Sequence, residues 1–165
     1  MSLAAKSTLG LLAMCLLSAC ATGPKFNAQG VDTSLTPQRA MTDIDSLREA
    51  RIIWGGVILA STNLKDTTQI EVLGYPLDSA FRPDIDAVPT ARFLIIKPGC
   101  LETADYMAGR PISTSGVLKR VQAGQVGEVS YAYPVIEPTD IYLWPRDSGE
   151  SHSNVHFGFG VNILR

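Results

Sequence analysis

The sequence has few of the residues that metal sites and nucleophilic sites need. Its 165 residues include two histidines and three cysteines. Hydrolysis by a serine nucleophile needs a histidine and an acid beside the serine, and no Gly-x-Ser-x-Gly motif is present. His152 and His156 have a spacing that metal sites use, but only Asp147 and Glu150 stand near them as further ligands. The sequence therefore favours a polar segment here over a metal site, and it predicts no catalytic residue, no metal and no cofactor.

An excess of basic residues is also lacking. The 14 Lys and Arg residues face 16 Asp and Glu residues, which gives a formal net charge of −2. Nucleic-acid binding requires a clustered basic patch, so nucleic acid is not an expected partner. Two aromatic pairs, Tyr131 with Tyr133 and Tyr142 with Trp144, are each expected to share a strand face. Without a basic groove for base stacking, they favour barrel core or a protein contact.

The chain contains no apolar run of the roughly 20 residues that a membrane-spanning helix needs. It begins instead with a polar start containing Lys6, a short apolar stretch over residues 9–17 and two small residues, Ser18 and Ala19. This order is typical of a bacterial secretory signal. We therefore expect residues 1–19 to be a signal peptide rather than an uncleaved anchor.

A cysteine follows the two small residues directly. The tetrad Leu17-Ser18-Ala19-Cys20 resembles the lipobox of bacterial lipoproteins, in which the cysteine sulfur takes a diacylglyceryl group and becomes the mature N-terminus. Lipidation at Cys20 is thus expected in preference to plain secretion. Two or three acyl chains anchor a protein far more firmly than one, so the membrane is the expected partner. Ala21 is not the Asp that retains lipoproteins in the inner membrane, which favours the outer membrane.

The mature chain would be a single domain. Residues 20–40 are predicted to be the lipidated cysteine and a flexible tether, because the segment is polar and contains Gly and Pro. Residues 41–145 are predicted to form the folded domain, and 146–165 a C-terminal tail that suits an edge strand. Cys100 would be the one remaining thiol. A small buried hydrophobe is its favoured interpretation, and a thiol exposed to a partner is the alternative.

The middle of the chain predicts strands separated by Gly and Pro. Alternation of apolar and polar residues is clearest over residues 67–75. A Gly55-Gly56 pair predicts a bulge or a sharp bend, and residues 101–107 predict a short helix of about two turns. The predicted strands cover residues 51–62, 67–75, 92–96, 111–122 and 127–136. Three strands, a helix and two strands is the order of an OB-type Greek-key barrel, so we expect a mostly β, five-stranded barrel.

Several short motifs resemble one known family when they are taken in order. They are Trp54-Gly55-Gly56-Val57-Ile58, Ile70 to Asp78, Arg82-Pro83, Arg92-Phe93-Leu94, Gly109-Arg110, Tyr133-Pro134-Val135 and Tyr142-Leu143-Trp144-Pro145. The chain resembles the Slp family of outer-membrane lipoproteins, which are starvation-inducible, over about residues 15 to 145. Two parts depart from the family pattern, residues 97–102 and the tail after Pro145. The resemblance implies lipidation, outer-membrane residence and an association with starvation or envelope stress, and it implies no catalytic residues.

Two functions remain open at this point. One is a non-enzymatic envelope lipoprotein with a structural role or an envelope protein partner, in an oligomeric state that the sequence does not define. The other is a ligand-binding lipoprotein in which Arg82, Arg92 and Arg110 hold a small anion or a glycan at the barrel mouth. Structural ion pairs are the default for these arginines, since planar guanidinium groups suit carboxylates. The candidate acids are Asp84, Asp86 and Asp105.

Overall fold

The computed structural model describes residues 23–145. Within them, five strands close into one barrel. The predicted signal peptide, Cys20, the tail 146–165 and the two histidines lie outside the described residues. The strands are β1 (Arg51–Asn63), β2 (Thr67–Tyr75), β3 (Arg92–Pro98), β4 (Pro111–Val126) and β5 (Val129–Leu143). Two short helices precede them, α1 (Pro37–Thr42) and α2 (Ile44–Leu47).

The strand order around the barrel is β1-β2-β3-β5-β4, and β4 pairs again with β1. All neighbours are antiparallel except β3 and β5, which are joined in parallel through Leu94 with Val135 and Ile95 with Ile136. A closed sheet leaves no long edge exposed. The predicted fold class, a mostly β five-stranded Greek-key barrel, is confirmed.

The barrel is filled by side chains from alternate strand positions. Branched aliphatic residues and Phe93 form one core, and Phe93 is fully buried against Trp54 at a ring-centroid distance of 5.4 Å. Leu35 and Ala40 close the core near the start of β1, and Leu101 packs on it near the other end. Burying one large apolar side chain stabilises the fold by about 1.5–3 kcal/mol, so this core carries the stability of a domain without a disulfide.

The Gly55-Gly56 pair serves close approach between strands rather than a bulge. Both glycines are in regular register with β2 and β4, and the register shift of β1 lies between Ile58 and Ala60. A Cβ atom at Gly56 would overlap the carbonyl oxygen of Leu73. The predicted position of the bulge is therefore wrong, whereas the need for glycine is real.

Residues 101–107 form turns, so the predicted helix between β3 and β4 is wrong. The Asp105 N–H donates to the Glu102 carbonyl at 3.0 Å, and the Leu101 N–H donates to the Thr68 hydroxyl at 2.9 Å. A seven-residue segment offers few helical hydrogen bonds to offset the cost of nucleation. Contacts with β2 fix its conformation instead.

The two helices precede strand β1 in the chain. The Thr36 hydroxyl accepts a hydrogen bond from the Arg39 N–H at 3.3 Å, and Pro37 occupies the first helical position, both favourable for a helix start. The second helix, α2, lies between α1 and the start of β1.

Strand β5 does not end before Pro138 as predicted. It continues to Leu143, and Pro138 pairs with Gly116 where the register of β4 and β5 shifts. Proline cannot donate to a ladder and is tolerated at bulges. A Cβ at Gly116 would clash with the Glu137 carbonyl, so this position within β4 requires glycine.

The described part of the predicted tether packs on the barrel. Phe26 contacts Phe81 edge-on with ring centroids 5.8 Å apart, and an Arg51 guanidinium nitrogen donates to the Asn27 carbonyl at 3.3 Å. The Trp54 indole N–H donates to the Leu35 carbonyl at 2.7 Å. From Gly23 onward, therefore, this segment belongs to the folded unit. Among residues 23–145, none of the helices is long and apolar enough to cross a bilayer.

Candidate functional site

Two of the three candidate arginines, Arg82 and Arg110, contact Trp144. The Arg82 guanidinium carbon lies 5.5 Å from the centroid of the Trp144 ring, a cation–π distance. The Arg110 Nε donates to the Trp144 carbonyl at 3.2 Å. The indole N–H donates to the Ser113 hydroxyl at 2.9 Å, and Tyr142 packs on the ring at a centroid distance of 4.8 Å. This aromatic cluster spans the end of β5 and fixes the chain there.

Arg110 also contacts the loop that precedes β4. A guanidinium nitrogen donates to the Asp105 carbonyl at 2.8 Å, and the same nitrogen lies 4.0 Å from the Asp105 carboxylate. The ion pair between Arg110 and Asp105, one of the structural alternatives considered from the sequence, is thus present. Both interactions hold the turn segment against the barrel.

Arg92 lies in a different cluster. Its guanidinium donates to the Glu71 carboxylate at 2.8 Å, with both side chains about a quarter exposed. The Arg92 backbone N–H donates to the Tyr131 hydroxyl at 2.9 Å, and the Tyr133 hydroxyl donates to Glu71 at 3.1 Å. Arg82 and Arg110 therefore both contact Trp144. Arg92, in β3, instead bonds to Glu71 of β2 and to Tyr131 of β5. Anion or glycan binding by the three arginines stays a prediction.

The sequence pattern did not indicate the Glu71–Tyr133 contact. Alternation places Glu71 on the outer face of β2, but its partners come from β3 and β5, and register between distant strands is not encoded in local periodicity. The ring contact between Tyr131 and Tyr133, with centroids 4.8 Å apart, agrees with their predicted shared face. Together these groups attach the long β4–β5 hairpin to the barrel.

The environment of Tyr133 raises its pKa to about 12, through burial first and the negative charge of Glu71 second. The ordinary value is 10.0. Because the folded pKa is the higher one, the neutral phenol's contribution to stability is complete below pH 10.0 and is lost as pH rises through about 12. We expect the difference in unfolding free energy between the wild type and Tyr133→Phe to shrink over this interval. Urea denaturation from pH 9 upward, to about pH 12, measures this, and a constant difference would contradict the expected pKa.

A cleft of about 350 Å³ lies beside β1, between the segment of residues 33–37 and the loop that follows β2. The lining is mostly aromatic and aliphatic, with side chains such as Ile53, Tyr75, Leu77 and Phe81. Thr90 also lines it, and its hydroxyl oxygen is buried and has no hydrogen-bond partner within residues 23–145. None of the three candidate arginines lines the cleft, so its chemistry suits a largely apolar group.

Cys100 is exposed, so the interpretation as a small buried hydrophobe is wrong. It follows Gly99, which has a positive φ of 81°, in the turn after β3. Burial fails here because the chain leaves the sheet at this turn and the side chain has no core to enter. Within the part of the chain that the structure describes, His, Cys, Asp and Glu side chains form no cluster of three that could hold a metal ion.

The comparison with family models identifies the chain at the level of a family. The model of the outer membrane lipoprotein Slp family matches residues 17–160, which include Cys20 and the whole barrel. The chain belongs to the Slp family. The expected resemblance is confirmed, and the outer membrane, where the family's lipoproteins reside, is its location.

Individual relatives agree with this assignment. An uncharacterized protein of Haemophilus influenzae is 28% identical over 142 residues, which cover 84% of this chain and 76% of that protein. The lipoprotein YeaY of Escherichia coli, described as uncharacterized, is 28% identical over 78% of this chain and 67% of its own. The outer membrane protein Slp of Escherichia coli is 27% identical, with coverage of 78% and 69%.

One comparison with solved structures is of low similarity. The small single-stranded DNA-binding protein from Streptomyces coelicolor has a TM-score of 0.34 and 17% identity, over 58% of this chain and 94% of that chain. Nothing about the ligand of this Slp-family chain follows from that similarity.

Proposed function

We propose that Cys20 carries the lipid anchor and that the barrel serves, without catalysis, as a structural or protein-interaction module of the cell envelope. The observation that carries this proposal is the Leu17-Ser18-Ala19-Cys20 tetrad, which the family match includes. Three residues later, Gly23 lies against Ala80 and the Trp144 ring. A lipid on Cys20 would therefore hold the barrel directly at a membrane.

The non-enzymatic part of the proposal is supported by how the charged groups are used. Arg92 pairs with Glu71, and Lys119 pairs with Glu49 at 2.8 Å. A catalytic acid or base is expected in a cleft with a pKa shifted toward the working pH. The cleft beside β1 contains Asp78 as its only titratable carboxylate within residues 23–145. Expression linked to starvation or stress is part of the same proposal, and it rests on the family resemblance.

Ligand binding is the second candidate function, and the cleft is the observation that favours it. Ligand sites are commonly concave and lined mainly by apolar side chains, as this cleft of about 350 Å³ is. The apolar lining favours a largely apolar ligand over the small anion or glycan that Arg82, Arg92 and Arg110 would hold.

Photo-crosslinking in intact envelopes tests the interaction proposal. We expect the wild type to capture a discrete envelope protein that Cys20→Ser does not capture, because lipidation brings the barrel to its partner. Cys100→Ser is the matched control and should give the wild-type result. Capture of a glycan or lipid without a protein would favour ligand binding, and the same captured species from wild type and Cys20→Ser would contradict positioning by the lipid.

A further inference from the structure

Gly23, the first residue that the structure describes, lies at the end of the barrel where β5 stops. A methyl group at Gly23 would stand 3.7 Å from the Ala80 carbonyl oxygen and 3.8 Å from the Trp144 ring. Three residues further along, Phe26 packs on Phe81. We call the surface formed by Gly23, Trp144 and the loop of residues 76–90 the anchor face. The described chain begins at this face.

The length of chain between Cys20 and Gly23 limits how far the anchor face can be from the lipid. A fully extended chain spans at most about 3.6 Å per residue, so the three steps from Cys20 to Gly23 cover at most about 11 Å. An apolar side chain at a membrane interface sits about 5–10 Å into the boundary between headgroups and acyl chains. With lipid on Cys20, the anchor face is therefore within contact distance of the membrane surface.

The loop of the anchor face presents apolar side chains to solvent. Val88 is 83% exposed and Ile85 is 47% exposed. The loop is also fixed in shape, since the Asp84 N–H donates to the Pro76 carbonyl at 2.9 Å and the Thr90 N–H donates to the Gly74 carbonyl at 2.7 Å. Apolar side chains that are exposed singly are common on protein surfaces, so it is the position of these two on the loop nearest the lipidation site that indicates an interaction surface.

The charges near these side chains indicate which kind of lipid surface fits. Lys25, in the segment that follows Gly23, and the carboxylates Asp84 and Asp86, on either side of Ile85 in the loop, are all exposed, so the anchor face and the segment next to it carry both signs of charge. A surface that binds through anionic lipids carries clustered Lys and Arg. The mixture of signs matches a bilayer that is mainly zwitterionic.

We propose that the anchor face docks on the membrane surface and that Ile85 and Val88 enter the boundary between headgroups and acyl chains. The barrel then has a fixed orientation, with the β1–β2 turn directed away from the bilayer. This inference rests on the proposed lipidation of Cys20 and adds to it a defined membrane-facing surface.

The chain provides a matched control at the opposite end of the barrel. Leu64 in the β1–β2 turn is 49% exposed, nearly the same as Ile85. Strand β2 separates the two, and its nine residues span about 27 Å. The native Cys100 lies in the turn near Leu64, because the Gly99 N–H donates to the Asp66 carbonyl at 2.9 Å. A label on Cys100 therefore reports the distal end without any substitution.

Depth-dependent fluorescence quenching tests the docking. The full lipidated chain is placed in vesicles of phosphatidylethanolamine with a minor share of phosphatidylglycerol, and a polarity-sensitive dye is attached to one cysteine. The dye is carried by Ile85→Cys, Val88→Cys or Leu64→Cys, each combined with Cys100→Ser, or by Cys100 itself. We expect quenchers on the upper acyl chain to remove most of the fluorescence at positions 85 and 88, and little of it at positions 64 and 100.

Equal quenching at positions 85 and 64 would overturn the docking. The docking would also be overturned if dyes at positions 85 and 88 were shielded from water but were not quenched by the quenchers on the lipid. The mass of each purified chain shows whether it carries lipid, and this distinguishes a failure of the docking from a failure of the proposed lipidation. A chain that carries its lipid but leaves position 85 in water contradicts the anchor face alone. A chain without lipid contradicts the proposed lipidation and the docking together.

Discussion

Replacing Cys20 with serine is expected to remove the protein from the outer-membrane fraction. Serine has no thiol to receive the diacylglyceryl group, and each acyl methylene contributes about 0.8 kcal/mol to membrane binding. The loss of two or three chains leaves no firm anchor, whether or not the signal peptide is removed. Fractionation of cell envelopes followed by detection of the chain measures the effect, and we expect nearly complete loss from the outer membrane.

Cys100→Ser is the matched control for this experiment. It makes the same chemical change at an exposed thiol on the barrel, so it should leave the distribution between fractions unchanged. Cys20→Ser chain that remains in the outer membrane at the wild-type level would contradict anchoring through Cys20. Release of both variants would indicate that a general folding defect causes the loss.

The second large effect is expected at Gly56. A Cβ atom at this position would overlap the Leu73 carbonyl on the paired strand, and the obstacle is backbone rather than a flexible side chain. Strands β1 and β2 would have to separate locally, which weakens ladder hydrogen bonds worth about 1 kcal/mol each. We expect Gly56→Ala to lower the unfolding free energy by about 3 kcal/mol or more. Urea denaturation monitored by circular dichroism measures the loss.

Gly127→Ala separates steric overlap from backbone conformation. Gly127 lies in the β4–β5 turn with a φ of 60°, and no atom lies within 4 Å of an added Cβ. Its substitution should cost only about 1–2 kcal/mol, the strain of a left-handed conformation for a residue with a Cβ. Equal losses for the two variants would contradict the close approach of β1 and β2 at Gly56.

The fold could be predicted where local periodicity and burial agree. Strand β2 has the predicted bounds, residues 67–75, because its alternation of apolar and polar residues is uninterrupted. The sequence places the end of β5 too early, because proline normally ends a strand. The bulge that accommodates Pro138 depends on its partner strand β4, which local sequence does not show. The helix predicted over residues 101–107 failed for a similar reason. Its turns are fixed by side chains from other strands, such as Thr68, which no local pattern shows.

The candidate site could be predicted less well than the fold. The sequence identified Arg82, Arg92 and Arg110 as charged groups near loops, but it could not show that Arg92 pairs with Glu71 across β2 and β3. It also could not indicate that Gly23 lies against Trp144, since that contact joins the two ends of the described chain. Such contacts depend on closure of the barrel. The lipidation motif, in contrast, is a continuous tetrad that a processing enzyme would recognise as sequence, so local inspection suffices to predict it.

Intact-mass analysis of the wild-type chain extracted from outer membranes tests the central claim most directly. The account predicts a chain that begins at Cys20 and carries a diacylglyceryl group with its acyl chains, and fragmentation should place the added mass on the first residue. A chain that retains residues 1–19, or one in which Cys20 carries no lipid, would contradict it.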